Sequence, residues 1–114
     1  MPAFYDIENE TFAAQRQISL LPASAAFIAK KLARHFKFFV RRIIVRKLKR
    51  YLGMADLKRC TVTIPPKTNL LVLVHELAHL WQAQLTGRTR HSRKLLVYMR
   101  RMFRYCEKMK YWRN

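Results

Sequence analysis

The apolar positions of this sequence recur at helical spacing in three stretches, and each stretch predicts a helix. The first covers residues 22–36, where proline stands at an early helical position and strong helix formers follow. The second begins at a cap supplied by Thr68 or Asn69 and ends at Gly87, where a left-handed residue is expected. Because this second stretch is apolar nearly all round, we predict that it is buried.

The last predicted helix begins after Ser92, which can cap it, and runs to about residue 110. Its apolar residues form one continuous stripe: Leu95, Tyr98, Met99, Met102, Phe103, Cys106 and Met109. The opposite face is basic, so the stripe is the side that we expect to pack against the rest of the domain.

Two shorter stretches have the residue types of strands. Residues 38–47 combine aromatic and β-branched residues but also fit a helical period; we predict a strand there and a turn or kink near Gly53. Residues 60–64 alternate valine and isoleucine with threonine and end at a proline pair, which predicts a second strand. The predicted fold class is therefore α+β, with a small antiparallel sheet packed on the buried helix and further helices beside it.

Length and charge narrow the classes of function. A chain of 114 residues forms one small domain, and its 51% apolar content indicates a packed core. With 24 Lys and Arg against 6 Asp and Glu, the formal net charge is +18, which predicts a polyanionic partner. Three of the acidic residues lie within the first ten positions. We therefore divide the chain into an N-terminal acidic arm, residues 1–21, which could lie on the basic surface, and a single domain, residues 22–114.

Cysteine content and hydropathy bear on the cellular compartment. Two cysteines are too few for a disulfide framework, so we expect reduced thiols. The first ten residues are acidic and no apolar stretch follows them, which argues against a signal peptide. The longest strictly apolar run is residues 70–74, far short of the roughly 20 residues that span a bilayer. We expect a cytoplasmic or nucleic-acid-associated protein without a transmembrane segment.

The strongest chemical signal is HELAH at residues 75–79, an HExxH pattern inside the buried helix. Histidines four residues apart lie on one helical face, so His75 and His79 can bind one zinc ion. Glu76 would then lie over the metal-bound water and take its proton, which produces a nucleophile for peptide hydrolysis. The alternative is a helix that buries these polar residues without a metal, at a considerable cost in free energy.

A catalytic zinc ion needs a third protein ligand, and His91 and Glu107 are the two candidates after His79. Glu107 lies between arginines on the basic face of the last helix, where an ion pair is the simpler role. His91 follows a loop short enough to fold back on the HExxH helix, so we predict that it is the third ligand; the alternative is a solvated loop histidine. His35, among aromatic residues, is assigned no role.

The stretch from TVTIPP to GRTRHSRKL resembles the SprT-like (Spartan-type) zinc metalloproteases, whose fold is a minimal zincin. The resemblance covers roughly residues 37–105: an edge strand, the HExxH helix, a glycine-containing loop and a histidine that opens the next helix. Leu85 stands where the HExxHxxGxxH metzincins would have their third ligand. The resemblance implies a zincin-like site with three ligands for Zn²⁺ and one catalytic base: His75, His79, His91 and Glu76.

The basic residues near His91 predict contact with nucleic acid, because a surface kept only for solubility would mix charges of both signs. The alternatives are a solvated helix face, an anionic membrane and an acidic protein. Aromatic residues that could stack on bases are interleaved with them: Tyr51, Tyr105, Tyr111 and Trp112. The candidate residues for contact with nucleic acid are Arg88, Arg90, Arg93, Lys94, Arg100 and Arg104.

The sequence thus predicts a zinc metallopeptidase that hydrolyses peptide bonds in nucleic-acid-associated proteins, with DNA favoured over RNA as the partner. The alternative is a basic nucleic-acid-binding module whose zinc site is structural or vestigial. Glu76 favours the enzyme, because a metal site that serves only folding needs no carboxylate over the water. A membrane-active basic protein is a third hypothesis, supported only by the amphipathic last helix.

Overall fold

The computed structural model describes residues 3–111, so Trp112 lies outside the described residues. The helices are α1 (Phe4–Thr11), α2 (Ala13–Arg16), α3 (Pro22–Phe36), α4 (Leu70–Thr86) and α5 (Arg93–Met109). The strands are β1 (Ser19–Leu20), β2 (Arg42–Val45), β3 (Met54–Asp56), β4 (Thr61–Ile64) and β5 (Thr68–Asn69). The predicted α+β class and the three long helices are confirmed. Within residues 3–111, no helix combines the length and the hydrophobicity needed to cross a membrane.

Helix α4 is the central element, and its two ends form as the sequence predicts. At its start, the Asn69 side chain accepts a hydrogen bond of 3.0 Å from the backbone N–H of Val72. At its end, Gly87 has φ 88°, a left-handed conformation that costs glycine little. Helices α3 and α5 and strands β3 and β4 all pack against α4. The HExxH pattern therefore lies in the middle of the fold.

The sheet that supports α4 has the strand order β2-β4-β3. Strands β3 and β4 form an antiparallel pair, in which β3 is a strand that was not predicted from the sequence. The turn between them is closed by Asp56, whose Oδ1 accepts from two backbone N–H groups. Strand β2 runs parallel to β4, with Arg42 opposite Thr61. The parallel pair arises because the chain crosses from β2 to the far edge of the sheet before it forms β3. The sheet is therefore mixed.

The strand predicted over residues 38–47 is shorter in the structure, where only Arg42–Val45 pairs with a neighbour. Before it, the Gln84 side chain on α4 binds both backbone polar groups of Phe39, at 2.7 Å each. The backbone of Phe39 can therefore remain extended without a strand partner, because a side-chain amide satisfies its N–H and carbonyl groups.

Residues 3–20 contribute to the same core as the rest of the described chain. Phe12 and Leu20 are each only 4% exposed, and Phe12 packs against Phe103 of α5. Strand β1 pairs with β5 directly before α4, with Leu20 opposite Thr68. The residues predicted to form an acidic arm thus place helix α1 against the central helix, next to the HExxH histidines.

Candidate metal centre

Three histidines from two parts of the chain meet at one point. His75 and His79 are one turn apart on α4, and His91 comes from the loop before α5. The Nε2 atom of His75 lies 3.1 Å from Nε2 of His79 and 3.2 Å from Nε2 of His91. Two nitrogens bound to one tetrahedral zinc ion are about 3.3 Å apart. The three predicted histidines are thus close enough together to hold a metal ion.

The tautomer of His79 follows from its neighbours in a short hydrogen-bonded chain. The Thr89 hydroxyl donates to the side-chain carbonyl Oε1 of Gln82 at 2.6 Å. Its single proton is used in that bond, so at 2.8 Å it can only accept from Nδ1 of His79. His79 therefore carries its proton on Nδ1, and its Nε2 lone pair points towards the other histidines.

His75 also carries a proton on Nδ1, because that nitrogen faces a carboxylate. Its Nδ1 contacts Oε2 of Glu8 on helix α1, and both side chains are buried, at 6% exposure each. A carboxylate accepts hydrogen bonds, so His75 donates its Nδ1–H and directs the lone pair of Nε2 into the cluster.

These tautomers make a cation a good fit for the cluster. The Nε2 atoms of His75 and His79 are 3.1 Å apart with a lone pair on each, so no hydrogen bond can form between them. Two facing lone pairs repel each other, and a metal ion that accepts both removes the repulsion. Nitrogen ligands of this kind suit zinc and its transition-metal neighbours and not magnesium or calcium.

Burial sets the protonation of the site. Burial, together with smaller contributions from His75 and His91, lowers the pKa of His79 to about 4. Burial likewise lowers the pKa of His91. Neutral imidazoles are the form that binds metal. Burial, with a smaller contribution from the Glu8 carboxylate and against the opposing effect of His75, raises the pKa of Glu76 to about 7. A cation in the cluster would reduce the electrostatic repulsion between the carboxylates of Glu8 and Glu76.

Gly53 lies against the catalytic candidate Glu76, a contact that no local sequence pattern predicts. A Cβ atom added at Gly53 would lie 3.1 Å from Cγ of Glu76 and 3.0 Å from Cγ1 of Val72, closer than side chains normally approach. The predicted turn near Gly53 is therefore also the place where the chain closes over Glu76. A cavity of about 430 Å³ opens here, and both His75 and Glu76 line it.

Helix α1 covers another side of the cluster. The Phe4 ring stacks on His91, with ring centroids 4.9 Å apart, and the Tyr5 hydroxyl lies 3.4 Å from Nε2 of His91. Sequence reasoning missed Phe4, Tyr5 and Glu8 as parts of the site. Glu8 and His75 are 67 positions apart, so no local spacing pattern could connect them.

The two other ligand candidates lie away from the cluster. Glu107 is exposed on α5, and it is not one of the three clustered residues. The ion pair predicted for it is wrong: among the described residues, Glu107 has no basic side chain within 4.0 Å. Exposed pairs of this kind gain little free energy, so water is an adequate partner. His35 is exposed and stacks on Tyr105, with ring centroids 3.8 Å apart, so it packs on the surface away from the cluster.

Most of the candidate residues for nucleic-acid contact line one cavity of about 880 Å³. Its basic residues are Arg88, Arg90, Arg93, Lys94 and Arg101. Gln82 and Thr89 also line it, so this cavity adjoins the hydrogen-bonded chain that ends at His79. Arg104 lines a separate cavity beside His35, and Arg100 lines neither of the two. The first of these, lined by Arg88, Arg90, Arg93, Lys94 and Arg101, is the basic cavity.

Comparison with known proteins gives no relatives: no family model matches the chain, and no curated protein or solved structure is significantly similar to it. The likeness to SprT-like proteases therefore depends only on the residues that carry it. The geometry of the three histidines, with Glu76 beside them, is the observation from which a function can be inferred.

Proposed function

We propose that this protein is a zinc-dependent peptidase of the HExxH type, with His75, His79 and His91 as metal ligands. The observation that carries the proposal is the convergence of three imidazole nitrogens on one point next to a carboxylate. Three protein ligands leave one coordination position open, which distinguishes catalytic zinc sites from closed structural ones. The resemblance to SprT-like proteases supports the same assignment.

Glu76 is the catalytic base of the proposed reaction. Zinc, when bound, supplies a Lewis acid and makes an attacking water more acidic. Glu76 takes the proton of that water and returns it to the leaving amine of the cleaved peptide bond. Burial raises the pKa of this carboxyl group to about 7 before metal binding, so it is a stronger base than an exposed glutamate, and a bound cation brings the pKa down towards its ordinary value. The cavity beside His75 and Glu76 gives a substrate segment access to this carboxylate.

Zinc-dependent cleavage of an unfolded protein such as casein tests the proposed function. The purified protein should cleave it, lose activity when a chelator removes the metal, and regain activity when zinc is added back. If the protein binds one zinc ion per chain but cleaves no protein substrate, the proposed activity is contradicted, and the alternative, a nucleic-acid-binding module with a structural zinc site, is favoured.

The Gly53→Ala substitution should slow hydrolysis without removing zinc. The new methyl group would lie 3.1 Å from Cγ of Glu76, so this side chain must shift slightly. A displacement of about 1 Å can reduce a rate by about 100-fold, so we expect a smaller loss than that. The measurement is kcat/KM together with zinc content, since the ligands themselves are not displaced. A variant with the parent's activity would show that the contact between Gly53 and Glu76 does not determine where the base lies.

We further propose that the basic cavity binds the phosphate backbone of nucleic acid, DNA in preference to RNA, and so brings the enzyme to proteins bound there. The support is its five Lys and Arg side chains with no carboxylate among its lining residues. Because Thr89 lies both in this cavity and beside His79, a bound strand would lie close to the metal centre.

A double charge reversal tests whether nucleic acid binds in the basic cavity, and a second reversal elsewhere is the matched control. Replacing Arg90 and Arg93 by Glu should weaken DNA binding and reduce the slope of log affinity against log salt, because fewer counterions are released. The same reversal of Lys30 and Arg34, exposed residues of α3, changes net charge equally but should change the slope less. Equal losses of DNA affinity in both variants would indicate that binding depends only on the net charge of the protein.

A further inference from the structure

Glu8 is a buried carboxylate whose partner is a buried histidine. Each residue is 5% exposed, and their contact is the only ion-pair contact that the structure contains within residues 3–111. Arg16 and Arg50 line the same cavity as Glu8, but neither lies within 4.0 Å of its carboxylate. Burying a carboxylate costs free energy unless it is paired. In a chain with 24 Lys and Arg, pairing Glu8 with an imidazole therefore requires an explanation.

Helix α1 is held in place on both sides of Glu8. Towards its start, the Tyr5 ring stacks on His75, with centroids 5.8 Å apart, and Phe4 stacks on His91. After its end, Phe12 is buried against Phe103 of α5, with centroids 4.7 Å apart. These contacts fix the helix relative to α4, so Glu8 is presented to Nδ1 of His75 by packing on both sides.

We infer that Glu8 is a positioning residue of the metal centre, which makes helix α1 part of that centre. It holds the His75 ring with Nε2 directed at the metal position, strengthens this nitrogen as a donor, and supplies negative charge for a divalent cation. The inference rests on the proposed zinc site at the three histidines. Partners of this kind commonly change metal affinity by about 10–100-fold.

Two of the three histidines differ in the charge of their Nδ1 partner, and this difference allows the effect of Glu8 to be tested separately. The Nδ1 partner of His79 is the neutral hydroxyl of Thr89, whereas that of His75 is a carboxylate. Glu8 is therefore the charged Nδ1 partner in the cluster, and replacing it by the equally large glutamine changes charge and donor strength with little change in shape.

Zinc affinity, measured by competition with a chromophoric chelator, tests the inference in the full chain. We expect Glu8→Gln to bind zinc about 10–100-fold more weakly than the parent. Glu10→Gln, an exposed change on the same helix, should bind zinc like the parent. With Co²⁺ at saturation, the visible absorption of Glu8→Gln should be shifted from that of the parent, because the donor strength of His75 changes. A residue that only stabilises the fold would leave that spectrum unchanged.

Three outcomes would overturn the inference. Parent affinity and a parent cobalt spectrum in Glu8→Gln would show that the carboxylate does not act on the metal. A Glu8→Gln protein that is unfolded even with zinc, as judged by circular dichroism, would show that its role is structural. A parent protein that binds no zinc would contradict the proposed function as well. This failure can be told apart from failure of the Glu8 inference alone, because it is seen in the protein that still contains Glu8.

Discussion

The Glu76→Gln protein should bind zinc like the parent and hydrolyse protein substrates about 10²–10⁴-fold more slowly, the usual contribution of general acid–base catalysis. The amide is nearly the same size as the carboxylate, so the close contact with Gly53 is retained. It cannot accept a proton from the attacking water, which is the step that the reaction requires.

The measurement is the initial rate of cleavage, with zinc content determined on the same samples. Glu107→Gln is the matched control, because Glu107 is an exposed glutamate outside the cluster and its substitution should leave both quantities unchanged. Equal rates for Glu76→Gln and the parent, once a contaminating protease is excluded, would contradict the mechanism.

The pH dependence of the same reaction has a defined sign. Only the ionised Glu76 can accept a proton, so activity should fall as pH falls through the pKa of this carboxyl. Burial raises that pKa to about 7 without metal, and a bound cation lowers it by favouring the carboxylate. The acidic limb of the parent profile should therefore have its midpoint below about 7 and should be absent from the residual activity of Glu76→Gln.

Features of the site that depend on local sequence could be predicted. The HExxH spacing places His75 and His79 on one face because the helical period alone determines it. Asn69 begins the helix because its side chain can accept from a free backbone N–H, and Gly87 ends it because glycine, without a Cβ, adopts the left-handed conformation at little cost. His91 could be named because a short loop limits how far the chain can move from His79.

Features that depend on contacts between distant segments could not be predicted. Glu8 meets His75 across 67 positions, and three acidic residues in the first ten positions indicated a separate arm instead. Gly53 lies against Glu76 because the sheet edge packs on α4, an arrangement that a lone glycine does not reveal. The parallel pairing of β2 with β4 also depends on where the chain crosses the sheet.

Loss of His91 should weaken zinc binding by more than about 100-fold, because removing a direct ligand has a larger effect than changing an outer partner. His91 comes from a loop, but its Nε2 lies 3.2 Å from Nε2 of His75, within the spacing of a shared metal. His91→Ala would leave two protein nitrogens on one helix, too few for a zinc site with a single open position.

Zinc affinity of three alanine variants separates the possible third ligands. His91→Ala should lose affinity, whereas His35→Ala and Glu107→Ala should retain it, because both residues are exposed and lie outside the cluster. Retained affinity in His91→Ala together with loss in Glu107→Ala would reverse the assignment. It would also require α5 to turn its basic face towards α4. That rotation of α5 would cost considerable free energy, because Leu95, Met99 and Met102 on the opposite face are fully buried and would all have to be exposed to water.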